Sequence, residues 1–132
     1  MRIARQDAEK LRRIGRNSID AKEATIVCAM GIVGKLNRSG MEACRRGQFE
    51  EAEAKLLMAL EMVQTSGGGC TAIKVHNNLG IVYELQGRQE MALHHYSNAL
   101  DLMVGGGAAN HPMHGRLARS LARVAPGGST VG

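Results

Sequence analysis

A forty-residue period constrains this chain more than any other feature. Asn37, Gly40, Gly47, Glu50, Ala52, Ala59 and Leu60 recur as Asn77, Gly80, Gly87, Glu90, Ala92, Ala99 and Leu100, with Glu61 and Asp101 as a conservative match. A repeat of this length marks stacked supersecondary units, none of which can bury its apolar face alone. The chemistry inside the period reads as a helical hairpin. Gly40 and Gly80 fall inside the first helix, where glycine costs about 1 kcal/mol relative to alanine and is kept when a neighbouring helix must come close. Gly47 and Gly87 supply the left-handed residue that closes that helix. Ala52 and Ala59, and again Ala92 and Ala99, lie seven apart on one face of the second helix, small enough for close packing.

Helical spacing of the apolar residues agrees. Phe49, Ala52, Leu56, Ala59, Leu60 and Val63 form one stripe, while Glu50, Glu51, Glu53 and Lys55 mostly take the other side. Ala92, Leu93, Tyr96, Ala99, Leu100 and Met103 repeat the stripe, and no stretch alternates as a strand would. Ser66-Gly67-Gly68-Gly69, Gly105-Gly106-Gly107 and Pro126-Gly127-Gly128-Ser129 act as breakers. Residues 3–14 read as a basic helix with Ile3, Ala4, Ala8, Leu11 and Ile14 on one stripe. Asn17 or Ser18 caps a second helix that merges into the first repeat. Pro112 suits a first helical turn, with Leu117, Leu121 and Val124 facing one way and Arg116, Arg119 and Arg123 another. The expected fold is all-α, antiparallel helical hairpin repeats with flanking terminal helices. One domain spans residues 1–125, with N-terminal helices at 3–32, repeats at about 33–65 and 71–104, and a capping helix at 112–124. Residues 126–132 are a flexible tail too polar to pack.

With 44% hydrophobic residues among 132, one modest core is affordable only if it is aliphatic, because the chain has no Trp, one Phe and two Tyr. Eight Met residues suit irregular gaps in such a core. Cys28, Cys44 and Cys70 form no CxxC pair and are odd in number, which fits neither a disulfide framework nor a zinc knuckle and points to a reducing cytoplasm. The long apolar stretch, Ala24 to Gly34, falls well short of the ~20 residues that span a bilayer, so neither an anchor nor a signal peptide is expected. Charge is segregated along the chain. Residues 1–46 hold eleven Lys or Arg against five Asp or Glu, residues 47–104 hold three against seven, and residues 105–132 hold three against none.

The run His76-Asn77-Asn78-Leu79-Gly80-Ile81-Val82-Tyr83-Glu84-Leu85-Gln86-Gly87, continued by Ala92, Tyr96, Ala99 and Leu100, resembles a tetratricopeptide repeat. Residues 36–62 resemble a weaker copy in which Ser39 replaces the usual Leu and Ala43 the usual Tyr. The period and the Asn-Asn-Leu start look most like the kinesin-light-chain-like variety, and the family's proline after the second helix is missing from both copies. The resemblance implies a non-catalytic protein-interaction module, adaptor or co-chaperone-like, whose first helices line a concave groove for an extended or helical peptide. It implies groove residues Asn37, Met41, Cys44 and Arg45 from one repeat and Lys74, Asn77, Ile81 and Glu84 from the next. Asn37 and Asn77 lead, because an amide both donates to and accepts from any peptide backbone. The family's carboxylate clamp is not reproduced: Lys74, Asn78 and Arg38 fit it, whereas Met41 and Ile81 stand where polar groups are needed.

Other chemistries are set aside. His94-His95 point about 100° apart on a helix, and neither this pair nor His111-x-x-His114 has a further ligand at metal-site spacing, so surface histidines and no metal are expected. Met30-Gly31-Ile32-Val33-Gly34-Lys35-Leu36 lacks both the first glycine and the hydroxyl of a phosphate loop. Ser97 with His94 has no orienting acid, and Cys70, in a loop with no electropositive neighbour, is expected to be inert. No enzyme activity and no cofactor are expected. Two alternatives stand beside the protein-binding groove. One is nucleic-acid or acidic-partner binding through Arg2, Arg5, Arg12, Arg13 and Arg16 with Arg116, Arg119 and Arg123, which steep salt dependence would separate from a mostly neutral peptide. The other is homodimerisation through unsatisfied end faces.

Overall fold

A computed structural model describes residues 21–67, 69–108 and 110–126, with side chains from residue 28 onward. Five helices follow in order: α1 (Ala21–Arg45), α2 (Phe49–Ser66), α3 (Gly69–Leu85), α4 (Gln89–Gly105) and α5 (Pro112–Val124). No strand occurs among the described residues. The expected helix at 3–14, the Asn17 or Ser18 cap and all but the first residue of the tail expected at 126–132 lie outside them. Hairpins α1–α2 and α3–α4 pack internally, α2 stacks on α3 and α4 on α5, and α1 also touches α3. The first helices α1, α3 and α5 thus form one layer and α2 and α4 the other, an all-α array of antiparallel hairpins.

Each hairpin closes by the same backbone device. Gly47 and Gly87 adopt φ of 76° and 77°. The next N–H turns back, Gln48 to the Ala43 carbonyl at 2.9 Å and Arg88 to the Tyr83 carbonyl at 2.8 Å. The glycine-rich run after α2 is shorter as a linker than its composition suggests. Gly67, at φ 79°, receives the end of α2, and Gly69 already begins α3, so Cys70 sits exposed in a first helical turn rather than in a loop. Pro112 opens α5 as expected, and His111 caps it by accepting the Met113 N–H at Nδ1, 3.1 Å away.

The core is aliphatic with two aromatic inserts. Ala52, Leu56, Ala59 and Val63 on α2 are buried, as are Ala92, Tyr96, Ala99 and Met103 on α4. The helix crossings depend on Gly40 and Gly80. A Cβ on Gly40 would lie 2.9 Å from Leu56 Cγ, and one on Gly80 would lie 2.5 Å from two ring carbons of Tyr96. Leu56 and Tyr96 occupy equivalent positions forty residues apart, so one contact is built twice, once aliphatic and once aromatic. The contrast continues on the neighbouring stripe. Lys55 Nζ donates to Ser39 Oγ at 2.6 Å in the first hairpin, where the second has His95 and the fully buried Leu79.

Gly80→Ala forces a methyl into a rigid, fully buried ring, whereas Gly40→Ala meets a leucine that can shift. Overpacking of this kind costs about 1–3 kcal/mol, more than the ~1 kcal/mol alanine gains in helix propensity. Urea unfolding is expected to show a net loss of up to about 2 kcal/mol for Gly80→Ala and a smaller one for Gly40→Ala. Equal stability of Gly80→Ala and wild type would contradict the contact.

Candidate functional site

The first-helix layer carries two clefts that share α3. One, of about 490 Å³, lies between α1 and α3 and is lined by Asn37, Arg38, Met41, Glu42, Arg45 and Asn78. The other, of about 520 Å³, lies between α3 and α5, where Asn77, Ile81, Glu84 and Leu85 face Met113, Arg116, Ser120 and Arg123. Neighbouring asparagines of α3 therefore look into opposite clefts, and a trough crosses three helices. Helical spacing explains the lining: Asn37, Met41 and Arg45 follow one stripe on α1, and Asn77, Ile81 and Glu84 one stripe on α3.

Most of the expected groove residues converge here, and the structure assigns them unequal parts. Asn37 is engaged within the chain, its Oδ1 accepting from Asn78 Nδ2 at 2.7 Å. Asn77 has no such partner among the described residues. Met41 and Ile81 pack partly against the core and floor the two clefts. Arg45 is tied to Glu42 at 2.6 Å. Lys74 is exposed one turn before the asparagine pair and lines neither cleft. Cys44 is placed differently from the expectation. It is buried among core residues, and burial raises its thiol pKa, so it offers neither a groove contact nor a thiolate.

Glu84 also departs from an open groove contact. Arg123 of α5 donates to both of its oxygens, and the fully buried Tyr96 donates its hydroxyl to Oε1 at 2.8 Å. The bond from Arg123 is the main reason that the carboxylate pKa lies below its usual range, and burial, aided by the same carboxylate, raises the Tyr96 phenol. The family resemblance implies no trough residue on α5. Its signal was the forty-residue period itself, which sets residues 112–124 against 72–84 and so makes the capping helix a third first helix.

The tetratricopeptide-repeat family model matches residues 32–104. The chain belongs to that family. No curated protein and no solved structure matches it. Tetratricopeptide repeats generally mediate contacts between proteins, and the family's first helices correspond here to α1 and α3, the helices that carry Asn37 and Asn77. Among the described residues no helix is long and apolar enough to cross a membrane, and no group of three or more His, Cys, Asp and Glu side chains is placed to hold a metal ion.

The second tetratricopeptide hairpin contains a polar pair that the sequence reading did not foresee. His94 is exposed as expected, but His95 is buried, and its Nδ1 lies 3.0 Å from Nδ1 of the buried His76 on α3. One ring must donate and the other accept, so the accepting ring must be neutral, and protonation of both rings breaks the bond. Tyr83 stacks on His95 with centroids 5.3 Å apart, and its own hydroxyl donates to Glu53 of α2 at 3.0 Å. Burial pushes the Tyr83 phenol up to about 12. Burial, with repulsion from His76 and His94, drives His95 down to about 4 and also lowers His76. In the unfolded chain a histidine takes up its proton below about pH 6.5. The folded protein resists that proton until about pH 4, so the pair's contribution is intact at neutral pH and is lost as pH falls through this window. Urea titrations are expected to lose about 2–3 kcal/mol between pH 7 and pH 4 from this source. Replacing both histidines by leucine should flatten that slope, and an unchanged slope would contradict the buried pair.

Proposed function

We propose that the trough formed by α1, α3 and α5 holds an extended or helical segment of another protein, as an adaptor or co-chaperone-like module that catalyses no reaction. The observation that carries this reading is the pair of adjacent asparagines on α3. Asn78 is spent on fixing Asn37, and Asn77 is left with an amide that can both donate to and accept from a passing backbone. Beside it Ile81, Leu85 and Met113 offer apolar contact, so side chains of a bound segment can be buried while its backbone is held by polar groups. The forty-residue period and the Asn-Asn-Leu start of the second repeat support assignment to the kinesin-light-chain-like variety. The free thiols of Cys28, Cys44 and Cys70 fit a reducing, cytoplasmic setting. A single domain over residues 1–125, with α5 as its cap, remains the organisation that best suits this use.

The two asparagines separate binding from stability. Asn77→Ala is expected to leave unfolding within about 0.5 kcal/mol of wild type, since it breaks no internal bond. Asn37→Ala removes the partner of Asn78 and should cost about 1 kcal/mol. Pull-downs from native cytoplasm with wild type and Asn77→Ala then test the trough directly. Loss of the same prey from a stably folded Asn77→Ala supports the reading, and unchanged prey counts against it.

A further inference from the structure

The two helix layers carry opposite charge. From residue 28 onward α1, α3 and α5 present seven Lys or Arg against two Glu, whereas α2 and α4 present one Lys against six Asp or Glu. Charge that looks segregated along the sequence is therefore segregated across the thickness of the fold. The two glutamates of the first-helix layer are already neutralised, Glu42 by Arg45 and Arg46 and Glu84 by Arg123. Arg38, Lys74 and Arg116 have no carboxylate partner among the described residues. Arg38 lines the cleft between α1 and α3, Arg116 lines the cleft between α3 and α5, and Lys74 stands on α3 a turn before the asparagines.

We infer that the partner segment held in the trough is acidic, its carboxylates meeting Arg38, Lys74 and Arg116 while its backbone crosses Asn77. This inference rests on the trough being a protein-binding site. Cations spread along a concave surface raise the local concentration of an acidic ligand and speed its encounter, and the acidic outer layer turns such a ligand away from the wrong face. The chemistry of the trough favours a peptide over single-stranded nucleic acid. Bases need exposed aromatic faces to stack on, but Tyr83 and Tyr96 are buried with their hydroxyls held by Glu53 and Glu84, and Phe49 lies half-buried in a different hollow beside Gln48 and Gln86. Apolar Met41, Ile81 and Met113 suit side chains instead.

The test selects binders from a displayed library of random peptides on the full chain and compares their charge with the unselected library. Affinities of the selected peptides are then measured for wild type, Asn77→Ala and the double variant Lys74→Glu/Arg116→Glu, whose two sites are exposed and unpaired. Enriched peptides should be net acidic, should weaken about tenfold on the double charge reversal, and should weaken as salt rises. Neutral or basic peptides that bind wild type and the double variant equally overturn the acidic preference. If those peptides still weaken in Asn77→Ala, the trough survives as a peptide site, whereas indifference to both variants, or no enrichment at all, overturns the trough as well. Oligothymidylate that binds more tightly than any selected peptide, and is lost on the same reversal, overturns the inference in favour of nucleic acid. Self-association abolished by that reversal overturns it in favour of a second copy stacking its acidic face here.

Discussion

Two helices of each hairpin can approach closely because a side chain is missing at their crossing. Gly40 receives Leu56 and Gly80 receives Tyr96, at distances that leave no room for a methyl group. Close packing of this kind sets the crossing of each pair, and the crossing sets which residues of the first helices are left facing away from the second. The position of Asn37, Met41, Asn77 and Ile81 is thus a consequence of glycines lying within one helical turn of each of them. Ala52 and Ala59 of α2 and Ala92 and Ala99 of α4, all fully buried, extend the same close packing along the second helices.

The second hairpin is the more polar of the two, and that is where the trough is tied to the cap. Tyr96 fills the space over Gly80 and hands its hydroxyl to Glu84, which in turn takes Arg123. A core contact, a groove carboxylate and the cap helix are therefore joined in one chain of hydrogen bonds. Arg123 and Glu84 are partly solvated, so their pair is worth less in stability than its geometry suggests, but it fixes how α5 lies along α3. The buried His76–His95 bond ties α3 to α4 elsewhere in the same hairpin, so two polar links brace the helix that carries Asn77.

Much of this architecture was legible because it is local. Glycine closures at residues 47 and 87, the second-helix stripes, the start of α5 at Pro112 and the close approaches at Gly40 and Gly80 each follow from residues within one hairpin. What escaped the reading depends on residues far apart in sequence. His95 looked like half of a surface pair until α3 brought His76 against it from nineteen positions away. Glu84 looked free until Arg123 reached it from thirty-nine. Cys44 was placed in the groove by the family resemblance alone, but the packing of α1 against α2 turns it inward. Glycine content likewise overstated the linker after α2, since composition reports what a backbone can do and tertiary packing decides where α3 begins.

Backbone amide chemical shifts, followed by NMR as a trough-selected peptide is titrated in, test the central claim most directly. Perturbations concentrated on the facing stripes of α1, α3 and α5, around Asn77, Ile81 and Met113, are the expected result. Perturbations concentrated instead on the outer faces of α2 and α4, with the amides of α3 unmoved, would contradict it.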